Sequence, residues 1–257
     1  VRASLSRVQA LAERLSPEGL NLLAARLERD GRKGGRDLAR EIRRRIQMME
    51  EAIRKDASLR FFDASFGVRI LAGADEVGRG ALAGPLVAAA VILRPSMPIL
   101  GLDDSKRLSA LRRERLVPEI LAACRAWCIA FVTPQAIDRE GMGVANRRLL
   151  ASAAMGLPLT PDLLLVDAMA LPDYPHPQRG IIKADSRSQT VAAASVLAKV
   201  VRDRMMAALA EEDFPGYGFE SHVGYASQGH VRSLRAMGIT ALHRRSFLGF
   251  LDEGEGG

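Results

Sequence analysis

Apolar positions recur along this chain in two textures, each predicting a different kind of element. Over the first 57 residues they fall at helical spacing. Leu20, Leu23, Ala24 and Leu27 follow Ser16-Pro17-Glu18, where a capping hydroxyl, a proline at the first helical position and an early acid start a helix. Asp30-Gly31-Arg32-Lys33-Gly34-Gly35 breaks the spacing, and a longer helix is expected through Arg43–Arg45 to near Lys55. From Arg69 the apolar runs become short. Arg69–Asp75 and Leu86–Leu93 predict adjacent strands around a glycine-rich turn, Gly78-Arg79-Gly80-Ala81-Leu82-Ala83-Gly84-Pro85. Further strands are expected at Trp127–Val132, Asp162–Val166 and Gly180–Lys183. Helical patterns at Leu108–Ala123, Gln135–Met155, Thr190–Leu209 and Val223–Met237 lie around them. Five strands mixed with helices predict an α/β domain on a central sheet over 69–257, preceded by a basic helical extension over 1–68.

Composition narrows the class. The 257 residues are 48% hydrophobic and 26% charged, which suffices for a packed core and excludes a disordered or fibrous chain. The formal charge is +7, from 37 Lys and Arg against 30 Asp and Glu, and it suits a partner with a phosphate backbone or an anionic surface. Its placement says more. Residues 1–60 carry 15 bases and 9 acids, leaving 22 and 21 for the remaining 197 residues. Read blandly, the arginine run is a solvated helix face; read functionally, it is an electrostatic contact with nucleic acid. Cys124 and Cys128 are expected to be reduced, packed thiols, since no further cysteine or nearby histidine completes a zinc set. The charged start argues against a signal peptide, and no apolar run nears the roughly 18 residues of a membrane span. A cytoplasmic location is the expectation.

Three carboxylate positions carry the chemistry. Asp75-Glu76 closes the first strand. Successive strand residues point to opposite faces, so both acids serve one site only where the strand is ending. Asp167 ends Leu163-Leu164-Leu165-Val166, and Asp185 follows Ile181-Ile182-Lys183-Ala184. Three strands thus deliver acids at their C-terminal ends, the edge where open α/β sheets bind ligands. Clustered carboxylates repel unless a cation joins them, and oxygen-only ligation fits Mg²⁺ or Mn²⁺. Two such ions could activate water and stabilise the leaving oxygen in phosphodiester hydrolysis. Gly78-Arg79-Gly80 exposes backbone beside these acids, and Arg79 can pair with phosphate.

These residues resemble the signature of bacterial type 2 ribonuclease H. The resemblance runs through Gly73-Ala74-Asp75-Glu76-Val77-Gly78-Arg79-Gly80 and Leu82-Ala83-Gly84-Pro85, then Asp104-Ser105-Lys106 with Leu108, then Val166-Asp167-Ala168. It continues in order through Lys183-Ala184-Asp185, Ala192-Ala193-Ala194-Ser195, Ala198-Lys199-Val200-Val201-Arg202-Asp203-Arg204, Gly224-Tyr225 and His243-Arg244-Arg245-Ser246-Phe247, covering about residues 69–248. Ala184 stands where many members have glycine, Asp103 where asparagine is usual, and Gln189-Thr190-Val191 replaces a common Ser-Ile entry to the Ala-rich helix.

The resemblance implies a ribonuclease H-like fold, with a central mixed five-stranded sheet flanked by helices. It also implies metal-dependent cleavage of RNA paired to DNA, and incision 5′ of single ribonucleotides in duplex DNA, leaving 3′-hydroxyl and 5′-phosphate ends. Asp75, Glu76, Asp167 and Asp185 would hold two Mg²⁺ or Mn²⁺ ions. Gly78, Arg79 and Gly80 would read the ribose 2′-hydroxyl, and Tyr225 would pack on the next, deoxy sugar. Lys106, Lys183 and Lys199 are candidates for phosphate contacts, and Ser195 belongs to the same substrate-binding set. Asp203 is the alternative fourth carboxylate; its other reading, an ion pair with Arg202 or Arg204, is preferred. His243 is placed as structural or phosphate-facing. A monomer is expected, with a sliding clamp as a further partner the extension could serve. The competing class is a non-catalytic nucleic-acid-binding protein that uses the basic helices.

Overall fold

The structure is a computed structural model that describes residues 16–30, 32–95 and 97–254. The chain divides into two compact units between Ala57 and Ser58. In the first, α1 (Pro17–Arg29) begins where expected, with the Ser16 hydroxyl accepting from the Gly19 amide. Leu20 and Ala24 of α1 pack with Leu38, Ile42 and Ile46 of α2 (Lys33–Ala64). The second helix runs past Lys55, and its last turns belong to the second unit. Phe62, with Phe66 just beyond, packs against Leu165, Ala184 and Val191. No described helix is long and apolar enough to cross a membrane.

The second unit is built on five strands: β1 (Leu71–Val77), β2 (Leu86–Leu93), β3 (Cys124–Val132), β4 (Leu163–Asp167) and β5 (Gln178–Ile181). Their order is β3-β2-β1-β4-β5, antiparallel over β1–β3 and parallel from β1 through β4 to β5. This is the mixed sheet the resemblance implies. Strand β2 shows why the sequence folds so. All eight of its residues are buried, because both faces of the sheet are covered. Leu86, Ala88, Ala90 and Ile92 meet Leu149, Leu150 and Ala153 of α5 (Met142–Met155). Val87, Ala89, Val91 and Leu93 meet Leu116 and Ile120 of α3 (Ala110–Ala123) and the alanines of α6 (Gln189–Glu212). The Ala192–Ala194 run lets α6 lie close on the sheet. A Cβ at Gly73 of β1 would stand 2.5 Å from the Val191 nitrogen, so the first turn of α6 sits directly on that strand.

Some boundaries differ from the sequence expectation, each for a local reason. The helix expected over Gln135–Met155 is two, α4 (Pro134–Glu140) and α5, because Gly141 adopts φ 80° between them. Strand β5 ends at Ile181 because Lys183 takes a left-handed φ of 56°. In place of one helix over Val223–Met237 there is a turn of helix α7 (Phe219–His222), an open loop carrying Gly224-Tyr225, and α8 (Gln228–Met237).

The division at Ala57 has a stability consequence. The Asp63 carboxylate accepts from the Thr190 amide at 2.9 Å and its hydroxyl at 2.5 Å, tying the end of α2 to the first turn of α6. A chain beginning at Ser58 is therefore expected to fold with a cooperative thermal transition. One beginning at Arg69 lacks Asp63, Phe62 and Phe66 and is expected to be less stable by at least about 2 kcal/mol. Paired denaturant melts check this; equal midpoints would disprove it.

Candidate active site

The parallel half of the sheet brings the predicted acids to one edge. Ala74 of β1 pairs with Val166 of β4, so Asp75 and Asp167 each stand one residue beyond that pair. Asp167 in turn is in register with Ile181, the last residue of β5, and the chain then turns through Ala184–Ser186 to present Asp185. An Asp167 oxygen accepts from the Ala184 amide at 3.1 Å, which fixes this turn beside β4. Glu76 remains in the β1–β2 ladder, opposite Ala88, after the pairing with β4 has stopped. The structure thus brings Asp75, Glu76, Asp167 and Asp185 together. It also brings in Asp104, whose charge and hydrogen bond act on Asp185.

Crowding shows in the electrostatics. Burial, then the Glu76 charge, pushes Asp75 up to about 8, against a hydrogen bond from Ser195. Burial raises Glu76, while Arg79 and a hydrogen bond with Asn146 oppose it. Burial and then Asp104 raise Asp185, with Lys106 offsetting. Burial alone would lower the Lys106 ammonium, yet the summed field of Asp104, Asp185, Asp75 and Asp167 raises it. Acids in this state are short of positive charge, and their oxygen donors suit a hard divalent cation. Among the described residues no three His, Cys, Asp or Glu side chains converge tightly enough to form a cage. The edge supplies donors and charge rather than a finished shell.

Beside the acids, the glycine-rich loop is held from below by two buried guanidiniums. Arg244 donates to the carbonyls of Gly78 at 2.6 Å, Arg79 at 3.1 Å and Gly84 at 2.8 and 3.1 Å. Arg202 donates to Pro85, Ala83 and Val223 carbonyls at 2.9 to 3.1 Å. At Gly78, with φ 97°, a Cβ would lie 2.3 Å from Arg202 Nε, so both the conformation and the space demand glycine. A Cβ at Gly80 would meet nothing within 4 Å. No group among the described residues accepts from the amides of Arg79 and Gly80, both exposed, so the loop turns free donors outward.

The remaining predicted residues divide. Lys106 lies in the field of the acids, as described. Lys199 ion-pairs with Asp203 at 2.8 Å, and Arg113 approaches Asp203 at 3.5 Å. Asp203 is thus an ion-pair partner, but of Lys199 and Arg113 rather than its neighbours; Arg202 serves carbonyls and Arg204 pairs with Glu114. Lys183 is exposed, in the left-handed turn before Asp185. Ser195 is 4% exposed; its hydroxyl donates to Asp75 and stands 2.9 Å from the Ser105 hydroxyl, from which it is then left to accept. Tyr225 lies under two cations, with Lys199 Nζ 5.6 Å and Arg202 Cζ 5.3 Å from its ring centre. His243, 2% exposed, lies in a buried histidine cluster, the structural alternative of its two readings. Sequence reasoning passed over Asp104 as a site residue and missed Asn146. Asn146 is the one fully buried polar side chain amid Ala145, Leu149 and Leu150 on α5, a signal that was legible as a polar break in an apolar stripe.

A mixed five-stranded sheet with carboxylates gathered where its parallel strands end defines a ribonuclease H-like protein. The Ribonuclease HII family model matches residues 72–249. A ribonuclease HII of Bacillus cereus (strain Q1) is 42% identical over 224 residues, covering 86% of each chain. Among solved structures, the ribonuclease H2 from Pyrococcus horikoshii OT3 superposes with a TM-score of 0.58 at 27% identity, over 69% of this chain and 93% of that one. The RNase HII of Archaeoglobus fulgidus, solved as a complex with PCNA, gives 0.57 at 28% identity, over 68% and 94%. The chain belongs to the ribonuclease HII family. It is accordingly a ribonuclease H hydrolase, acting on RNA/DNA hybrids, in a divalent-metal-dependent family.

The histidine cluster under the Tyr225 loop sets an acid limit on stability. Burial first, then His230, lowers His243 to about 4 from 6.5. A depressed histidine stays neutral when folded while the unfolded chain takes up a proton. Stability is therefore full above pH 6.5 and falls as pH drops towards 4, by about 2 kcal/mol at pH 5 for this group alone. Urea midpoints measured from pH 7.5 to 4.5 should show this loss, and His243→Phe should flatten it; an unchanged slope in that variant would contradict the assignment.

Proposed function

We propose that this chain is a metal-dependent endonuclease that incises 5′ of a ribonucleotide embedded in duplex DNA, as well as cutting RNA/DNA hybrids, and leaves 3′-hydroxyl and 5′-phosphate ends. The observation that carries this reading is the pair of free amides at Arg79 and Gly80 beside the gathered acids, backed by carbonyls that Arg244 already occupies. A ribose 2′-hydroxyl, donor and acceptor at once, is the group that distinguishes RNA from DNA at such a position. Asp75, Glu76, Asp167 and Asp185 would hold Mg²⁺ or Mn²⁺. When bound, such ions polarise the scissile phosphate and make water a nucleophile near neutral pH.

The protein's own groups do the rest. Ser195 and Asn146 orient the Asp75 and Glu76 carboxylates from the buried side. Lys106, its charge reinforced by the surrounding acids, faces the scissile phosphate, and Lys183 meets the backbone from the rim. Arg79 now pairs with Glu76 at 3.3 Å and exchanges that partner for a substrate phosphate. Tyr225 packs on the sugar that follows the ribose, its ring held over Lys199 and Arg202. The Archaeoglobus fulgidus relative was solved with PCNA, and a sliding clamp is carried over as a proposed partner class.

A duplex with one embedded ribonucleotide is expected to be nicked at that residue in Mg²⁺ or Mn²⁺, while an all-DNA duplex stays whole. Asp75→Asn should slow nicking by about a thousandfold or more, since over ~4 kcal/mol of transition-state stabilisation is at stake. A variant rate within threefold of the parent would sink the site assignment.

For the first unit we propose an auxiliary electrostatic contact with the duplex. Four of its arginines pair with Asp30, Asp37, Glu28 and Glu41 at the surface, which leaves part of the basic excess for phosphate. Removing residues 1–57 should weaken duplex binding and flatten its dependence on salt, with the rate at saturating substrate unchanged. Fluorescence anisotropy across a salt series decides this, and identical slopes for both chains would refute it.

A further inference from the structure

Three histidines gather under the Tyr225 loop, and hydrogen bonding assigns the proton on each. The Thr240 amide donates to His243 Nδ1 at 3.0 Å, and the Thr240 hydroxyl lies 2.8 Å from the same nitrogen. A backbone N–H can only donate, so Nδ1 is the acceptor and the His243 proton is on Nε2. That nitrogen is 3.1 Å from His230 Nε2, which must therefore accept. The His230 proton is left on Nδ1, 3.0 Å from the Tyr225 carbonyl. His222 follows the same logic: it accepts from the Gly224 amide at Nδ1, and its Nε2 donates to the Tyr217 carbonyl at 2.8 Å. Its ring stacks on His230 with centroids 4.4 Å apart. A single direction of donation runs from Thr240 through His243 and His230 to the main chain of Tyr225.

That chain ends on the loop that needs it. Val223, just before Gly224-Tyr225, holds a left-handed φ of 44°, which a β-branched residue adopts only under constraint. Lys199 and Arg202 approach the Tyr225 ring, so the carbonyl bond from His230 fixes the backbone while the cations fix the ring. His230 is fully buried and 13 residues from its partner His243 in sequence, too deep to touch substrate.

We propose that His230, locked in its Nδ1–H tautomer by His243 and Thr240, is a positioning residue that sets the Tyr225 loop for discrimination of the sugar following the ribose. This rests on the reading of Tyr225 given above. The relay sets substrate preference and leaves the cleavage chemistry to the acidic edge.

The test uses two isosteres in the full-length protein. In His230→Asn the amide nitrogen takes the place of Nδ1 and keeps the donor to the Tyr225 carbonyl. In His230→Gln the amide reaches the place of Nε2, keeps His243 and loses Tyr225. Steady-state cleavage is measured on a duplex with one ribonucleotide and on a uniform RNA/DNA hybrid, and the ratio of kcat/KM is compared. His230→Asn should stay within about twofold of the parent, whereas His230→Gln should lower the ratio about five- to tenfold, mainly through KM, the scale of one lost hydrogen bond. Tyr225→Ala should lower it at least as far. A changed ratio in Tyr225→Ala with equal ratios in the Asn and Gln variants overturns the positioning role alone. An unchanged ratio in Tyr225→Ala overturns the sugar reading and the positioning role with it. If the Gln variant does not fold, His230→Ala replaces it, with the same loss expected.

Discussion

The structure depends on two guanidinium groups whose hydrogen bonds go to main-chain carbonyls. Arg202 and Arg244 are both 0% exposed, and neither is neutralised by a carboxylate bonded to it among the described residues. A buried cation is costly to desolvate and becomes tolerable only when every donor is met. Burial lowers Arg202, and burial together with the Arg202 charge brings Arg244 down to about 10, which leaves Arg244 charged at neutral pH. Together they bind carbonyls of Gly78, Arg79, Ala83, Gly84, Pro85 and Val223, and so join the 78–85 loop to α6, to the turn at Val223 and to the segment of Arg244. Main-chain bonds complete the junction: Leu82 and Ala83 amides donate to the Gly224 carbonyl, Gly84 to Leu242, and Arg244 to Leu82. Because the loop's carbonyls are turned inward to the cations, its Arg79 and Gly80 amides are left facing out. The surface proposed for recognition thus follows from how the buried charge is satisfied.

Much of this was legible in the residues, for reasons that differ by element. The acids at strand ends were legible because a strand has period two and an apolar run such as Leu163–Val166 closed by Asp167 marks its own edge. The all-apolar β2 was legible because burial on both faces removes the alternation. What escaped depends on tertiary partners. Gly141 splits a continuous helical pattern through its φ, which no periodicity reports. The end of α2 belongs to the second unit through Asp63 and Phe62, whose partners lie more than a hundred residues on. Asp104 was quoted within a motif, yet its place beside Asp185 comes only from folding the Ser105–Arg107 turn against α6. The ion pair of Asp203 went to Lys199, four residues back on one helical face, because its immediate neighbours point elsewhere.

Charge in the second unit is balanced locally, which gives its near-neutral total a structural meaning. Lys106 sits among Asp104, Asp185, Asp75 and Asp167; Arg79 pairs with Glu76; Lys199 and Arg113 share Asp203. These four bases lie next to acids rather than on a separate basic face. A uniformly basic site would bind phosphate more tightly and repel the divalent cations it needs; a uniformly acidic one would repel substrate. Interleaving admits both.

Strain is placed where this site needs its backbone turned. Among the described residues, the three non-glycine residues with positive φ are Ala168, Lys183 and Val223, at 46°, 56° and 44°. Each stands one or two residues from a site residue: Asp167, Asp185 and Tyr225. A left-handed non-glycine residue costs about 1 kcal/mol, and more when β-branched. Named bonds hold each one. The Ala168 amide donates to Ile181, the Ser186 amide and hydroxyl both donate to the Lys183 carbonyl, and Arg202 donates to the Val223 carbonyl. An unstrained turn at these points would continue the strand or helix and carry the side chain onto the far face. The cost is thus tied to place: each of the three unfavourable backbone conformations stands beside a candidate site residue at the acidic edge or its rim.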